Sequence, residues 1–177
     1  MGRGDRSAPP PLDEAALERL ALRYAERYAT TRAKLTRYMV RKLRERGWTG
    51  EGDPPVADLV ARMTALGYVD DRGFANARAA TLTRRGLGVR RVAADLRAAG
   101  IDADDSAEAR SAAEDQALSA ALRYAEKRRI GPFAPGAPDR PTREKALAAM
   151  FRAGHPLDLA RRIVRADPGQ DINTFDT

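Results

Sequence analysis

The sequence predicts an all-α fold of three tandem helical repeats, and two observations carry that expectation. A basic, apolar-striped helix runs into a glycine three times and is expected to stop in the same way each time. The glycines are Gly47, Gly100 and Gly154, 53 and 54 residues apart, and each follows a large apolar residue by four positions (Leu43, Leu96, Met150). Self-similarity on this scale marks stacked helical units, none of which buries its apolar face alone. Composition agrees: of 177 residues 35 are Ala, whereas Val and Ile together number 11. Ala favours helix, and so few β-branched residues leave little material for sheet.

Taken in order, residues 1–12 read as a disordered Pro-rich tail, 13–50 as repeat 1, 51–101 as repeat 2, 102–166 as repeat 3 and 167–177 as a flexible tail. Asp13-Glu14 opens the first helix, with Leu17, Leu20, Ala21, Tyr24 and Tyr28 at helical spacing. Thr30-Thr31 offers an N-cap to a second helix striped by Leu35, Tyr38, Met39 and Leu43. Gly47 ends it, and Trp48 is placed to fold back onto it. Residues 49–55 are loop by composition, and Val56, Leu59, Val60 and Met63 follow as one face. Asp70 or Asp71 caps the next helix, which carries Phe74 and Leu82 to the break at Gly86-Leu-Gly88. Val89, Val92, Ala93 and Leu96 then lead to Gly100-Ile101. Ser106 is an expected N-cap, Leu118, Leu122 and Tyr124 echo the first unit, and Gly131–Pro141 is the longest connection. A last short helix from about Pro156 presents Leu159, Ile163 and Val164.

Charge is distributed in blocks. The net charge is +7, with +8 over residues 19–46, +6 over 72–97 and +5 over 127–152, separated by −4 over 47–71 and −5 over 101–126. Such blocks orient a molecule on a charged partner, although solvated helix faces with i,i+4 ion pairs produce part of the same pattern. There is no Cys, which removes thiol chemistry and disulfides, and a single His. With no carboxylate triad at a suitable spacing, nucleophilic or zinc catalysis has nothing to build on, so we expect no enzyme, no cofactor and no metal site. No run is apolar enough to span a bilayer and the N-terminus lacks the apolar middle of a signal peptide, so no membrane association and a cytoplasmic location are expected. Arg3-Gly4-Asp5 matches a cell-adhesion tripeptide, but three residues in a polar tail match by chance. The absence of a spare apolar stripe predicts a monomer.

The block Leu66-Gly-Tyr-Val-Asp-Asp-Arg-Gly-Phe-Ala75, followed by Arg84-Arg-Gly-Leu-Gly-Val-Arg-Arg-Val-Ala-Ala-Asp-Leu-Arg-Ala-Ala-Gly-Ile101, resembles the RecX family, regulators of the RecA recombinase. The flanking segments agree, with an aromatic-Ala pair and a Lys/Arg-rich helix ending in Gly on either side, so the resemblance covers roughly residues 15–165. It implies three tandem three-helix repeats forming an elongated, curved molecule. It further implies docking into the groove of the RecA filament on single-stranded DNA, inhibition of recombinase, ATPase and co-protease activities, and a place in DNA repair, recombination and the SOS response. Two departures are the long loops at 49–55 and 131–141 and the ending Gly154-His155-Pro156.

The candidate partner-binding residues are cations. Arg84, Arg85, Arg90, Arg91 and Arg97 form one cluster, in which only Asp95, four after Arg91, offers a local partner. Arg forks suit carboxylates and phosphates. Lys34, Arg37, Arg41 and Arg44 surround the apolar stripe of the second helix, and Lys127, Arg128 and Arg129 end the helix before the long loop. Read without the resemblance, the second helix also suits phosphate tracking, so direct binding to DNA independently of RecA is the competing function. Solvated outer faces are the bland account of all three sets. Tyr38 and Met39 read as packing rather than base stacking, and Asp70-Asp71 as a helix cap rather than a metal or acid–base pair.

Overall fold

Short oxygen-bearing side chains set where the helices start. Asp13 accepts from the Ala16 N–H at 2.7 Å and opens α1, Glu14–Arg27. Thr31 accepts from Lys34 at 3.2 Å and opens α2, Arg32–Arg46. The remaining helices are α3 Val56–Ala65, α4 Asp71–Arg84, α5 Val89–Ala98, α6 Ala107–Asp115, α7 Ala117–Arg128, α8 Arg140–Arg152 and α9 Leu157–Arg165, with 3-10 turns at Gly131–Phe133 and Ile172–Phe175. The computed structural model describes residues 9–175, and among these the only β feature is an isolated bridge between Leu12 and Trp48. The fold is therefore all-helical. The Arg3-Gly4-Asp5 tripeptide lies outside the described residues.

One way of ending recurs among the helices. Five helices among the described residues (α3, α4, α5, α7 and α8) close with a paired bond, as when Ile101 N–H donates to Leu96 and Gly100 N–H to Arg97. This is the Schellman arrangement, which needs a left-handed residue just past the helix, and Gly100 and Gly154 supply it at φ +81° and +95°. His155 N–H donates to Met150 in the same way, so the Gly-His-Pro ending leaves the cap intact. Gly47 differs. Its N–H keeps an α-helical bond to Leu43, and the chain then extends so that Leu12 donates to the Gly47 carbonyl and accepts from Thr49. Its expected likeness to the other two endings is thus incomplete, because at ψ 172° the chain leaves Gly47 extended and pairs with Leu12 instead of turning back over the helix end.

The chain divides into two units, one ending at Phe74 and the other beginning at Ala75. In the first, α1, α2 and α3 pack against one another over Leu12, Leu17, Ala21, Leu35, Met39, Leu59, Val60, Met63 and Val69. Trp48 packs on this cluster and donates its indole N–H to Gly52 at 2.9 Å. Tyr28 does not join it: the C-cap residue of α1 is extended, so its ring leaves the helical stripe and stays 50% exposed. In the second unit, α7, α8 and α9 enclose Ala121, Ala125, Ile130, Met150, Ala160, Ile163 and Val164, and Phe175 folds into the same cluster. The many alanines bring backbones close, as the composition implies. Ser106 occupies the N-cap of α6 but donates its hydroxyl back to Ala103 at 3.2 Å and caps nothing.

Candidate functional site

Asp70 and Asp71 divide their labour. Asp70 accepts from the Gly73 N–H at 2.9 Å and caps α4. Asp71, first residue of that helix and buried, accepts from the backbone N–H of Arg32 at 2.8 Å and from its Nε at 3.1 Å. One acid of the pair is the cap the sequence suggests; the other ties α4 to the start of α2. Among the described residues no group of three or more His, Cys, Asp or Glu side chains is placed to hold a metal.

The second unit builds its basic surface on a crossing of two glycines. Gly88 N–H donates to Ala153 at 2.9 Å and Arg90 N–H to Gly154 at 3.1 Å. A Cβ on Gly88 would overlap the Gly154 backbone, and one on Gly154 would overlap Arg91. Only residues without side chains allow the start of α5 to lie on the end of α8 this closely. Nearby, the Gly86 carbonyl meets Nε2 of the buried His155 at 3.1 Å, and the His155 ring tilts against Tyr124 at 5.4 Å. Burial holds the His155 pKa below its ordinary value, with the Gly86 contact opposing in part.

This crossing gathers several of the expected cations. Arg84, Arg85, Arg90 and Arg91 are exposed around it. Lys127 Nζ donates to the Arg85 carbonyl at 3.3 Å, the Arg90 guanidinium lies 4.1 Å over the Phe151 ring, and Arg128 lies 5.7 Å over Tyr124. Arg97, about two helical turns beyond Arg90, stands apart at the other end of α5. Asp95 does not serve Arg91: both its oxygens are taken by Arg78, at 2.6 and 2.9 Å, and this pairing holds the Arg78 pKa above its ordinary value. Consequently Arg90 and Arg91 occupy the first turn of a helix that has no acid there, and among the described residues neither forms an ion pair. Cations at the positive end of a helix dipole are destabilising unless an anion arrives.

Arg129 points the site further along. It takes the left-handed conformation at φ +54° in the α7 cap, and with Arg128, Thr142, Arg143 and Lys145 it rims a cleft of about 260 Å³ floored by Ile130, Ala146, Ala149 and Val164. Arg143 and Lys145 were not singled out from the sequence. Their only signal was the +5 block at 127–152, and the folding of a long loop brings them opposite Arg128.

In the first unit the four cations of α2 separate. Lys34 lies 4.2 Å over the Phe74 ring, whereas Arg37, Arg41 and Arg44 are exposed, with Arg41 3.6 Å from Glu45. Glu45 also meets Lys42 at 2.6 Å, which holds its carboxyl below the ordinary range. Beside Arg41, Tyr38 stacks on Tyr24 with ring centres 4.1 Å apart. Sequence periodicity assigns these rings to the core and misses the stack, because they come from two helices.

Residues 70–109, which run from α4 through α5 into the first turn of α6, match the family model described as RecX, second three-helix domain. The regulatory protein RecX of Myxococcus xanthus (strain DK1622) is 32% identical over 169 residues, 90% of each chain. The regulatory protein RecX of Mycobacterium sp. (strain KMS) is 37% identical over 98 residues, 54% of this chain and 51% of that one. A crystal structure of a regulatory protein RecX superposes with a TM-score of 0.60 over 85% of this chain and 72% of the other, at 16% identity, a likeness of fold.

Proposed function

Since the chain belongs to the RecX family of regulatory proteins, we propose that it binds the groove of the RecA–DNA filament and inhibits recombinase, ATPase and co-protease activity. The supporting observation is the uncompensated pair Arg90 and Arg91 at the start of α5, beside Arg84, Arg85 and Lys127. An array of cations kept at an electrostatic cost suits an anionic partner surface, either carboxylates of a filament protomer or phosphates of the DNA it carries. Lying along the groove and bridging protomers, the protein would hinder the subunit rearrangement that accompanies ATP turnover. It would also compete with incoming duplex or a cleavable repressor. The match at 70–109 favours grouping the helices as α1–α3, α4–α6 and α7–α9, one helix out of step with the division at 51 and 102 drawn from the glycines. No helix among the described residues is long and apolar enough to cross a membrane. The reading includes a monomer acting in the cytoplasm.

The test reverses the charges. A protein carrying Arg84→Glu, Arg85→Glu and Arg90→Glu is expected to lose filament binding while its helical circular dichroism is unchanged. Wild-type affinity in that variant rejects the site.

A further inference from the structure

We propose that the first unit carries a stacking platform for unpaired nucleotides, formed by Tyr24, Tyr28 and Tyr38 and edged by Arg23, Arg27 and Arg41. Tyr24 and Tyr38 stack at 4.1 Å with their planes 15° apart, and Tyr28 tilts onto Tyr24 at 5.3 Å. The rings line an open cleft of about 400 Å³ together with the three arginines. Arg27 lies 5.5 Å over the Tyr28 ring and Arg41 5.5 Å over the Tyr38 ring.

Packing alone does not account for all three rings. The core of this unit is closed by Leu17, Ala21, Leu35, Met39 and their neighbours, and Tyr24 and Tyr38 pack against it from outside. Tyr28 adds nothing to that core and remains half exposed. An exposed aromatic next to a stacked pair offers a π face on which a further ring can lie, and every nucleobase has one. The charge is complementary to the backbone that links such bases. Among the described residues Arg23 and Arg27 form no ion pair, and of the three only Arg41 lies within ion-pair distance of a carboxylate, Glu45 at 3.6 Å. Apolar peptides would gain no use from the arginines, and duplex DNA would gain none from the rings, because its bases are already stacked. Single-stranded nucleic acid uses both. The site lies on α1 and α2 of the first unit, and the proposal does not rest on binding to RecA.

The experiment measures fluorescence anisotropy of the full chain with three labelled probes of equal length: a single-stranded oligothymidylate, an abasic oligomer and a duplex. Tyr28→Ala is the informative variant, since the exposed ring contributes little to folding, which circular dichroism checks. Base stacking on an aromatic is worth enough that Tyr28→Ala should weaken the oligothymidylate by about 5- to 150-fold. Tyr28→Phe should retain wild-type affinity, and the abasic oligomer should bind wild type and Tyr28→Ala equally. Equal binding of oligothymidylate by wild type and Tyr28→Ala overturns the proposal. So does an equal loss on the abasic oligomer, which would mean the ring serves only the phosphates. Displacement of the oligothymidylate by polyglutamate of matching charge as readily as by unlabelled oligothymidylate overturns it in favour of an acidic peptide.

Discussion

His155 Nε2 lies 3.1 Å from the carbonyl oxygen of Gly86, and the ring is completely buried. A carbonyl only accepts, so the neutral ring donates from Nε2 and leaves the buried Nδ1 without a hydrogen-bond partner among the described residues. Protonating Nδ1 would bury a charge and an unmet donor together. Burial accordingly depresses the pKa below the ordinary His value of about 6.5.

Below about pH 6.5 the unfolded chain takes up a proton on His155 that the folded chain refuses, so stability falls as pH falls. The slope from one such group reaches at most about 1.4 kcal/mol per pH unit. Urea midpoints between pH 7.5 and 5.5, above the range where most carboxylates titrate, should drop for wild type. His155→Gln should flatten that dependence, and an equally steep drop in the variant would contradict the account.

Gly88 and Gly136 should respond oppositely to alanine. A Cβ at Gly88 overlaps the Gly154 backbone, and a shift there would disturb the α5–α8 crossing. Gly88→Ala is expected to cost about 1–3 kcal/mol, the usual range for overpacking. At Gly136 nothing lies within 4 Å, so Gly136→Ala is expected to be neutral or to stabilise by up to about 1 kcal/mol through the unfolded chain. Chemical denaturation of the two variants decides it.

Asp71 should matter more than a surface acid. Its carboxylate is 3% exposed and holds the Arg32 backbone N–H as well as Nε. Asp71→Ala is expected to destabilise by about 1.5–3 kcal/mol, as for hydrogen bonds to a charged group. Asp71→Asn, which keeps an acceptor for the backbone N–H, should cost less. Arg32 is 41% exposed, so solvent screens the ion-pair part and high salt should change little.

Arg78 and Asp95 form a two-pronged pair between α4 and α5, at 2.6 and 2.9 Å. Both are partly exposed, and a double-mutant cycle with Arg78→Ala and Asp95→Ala should give a coupling of about 0.2–1 kcal/mol. Near-perfect additivity would mean that the pair orients the helices without stabilising them.

What could be read from the sequence was local, and what could not was mostly long-range. Gly100 and Gly154 announce helix ends because left-handed backbone is costly to any residue with a Cβ, and that cost needs no knowledge of the fold. Caps such as Asp13 and Thr31 act over three residues and are equally visible. Asp71 and Arg32 are 39 residues apart, and His155 and Gly86 are 69 apart. Nothing in their surroundings names the partner. Asp95 shows the hazard: helical spacing offers Arg91, but the α4–α5 packing delivers Arg78, whose fork reaches both oxygens. Leu12 sits in a stretch that reads as tail, yet it is buried, its backbone held by Gly47 and Thr49. The cation sets were legible as blocks of charge; which of them share a surface depended on the Gly88–Gly154 crossing.

The central proposal is that this chain binds RecA filament in preference to nucleic acid alone. Its most direct measurement compares affinity for single-stranded DNA coated with RecA and a non-hydrolysable nucleotide against affinity for the same DNA bare. Strong preference for the coated DNA is the predicted result, and equal or reversed preference would contradict the claim.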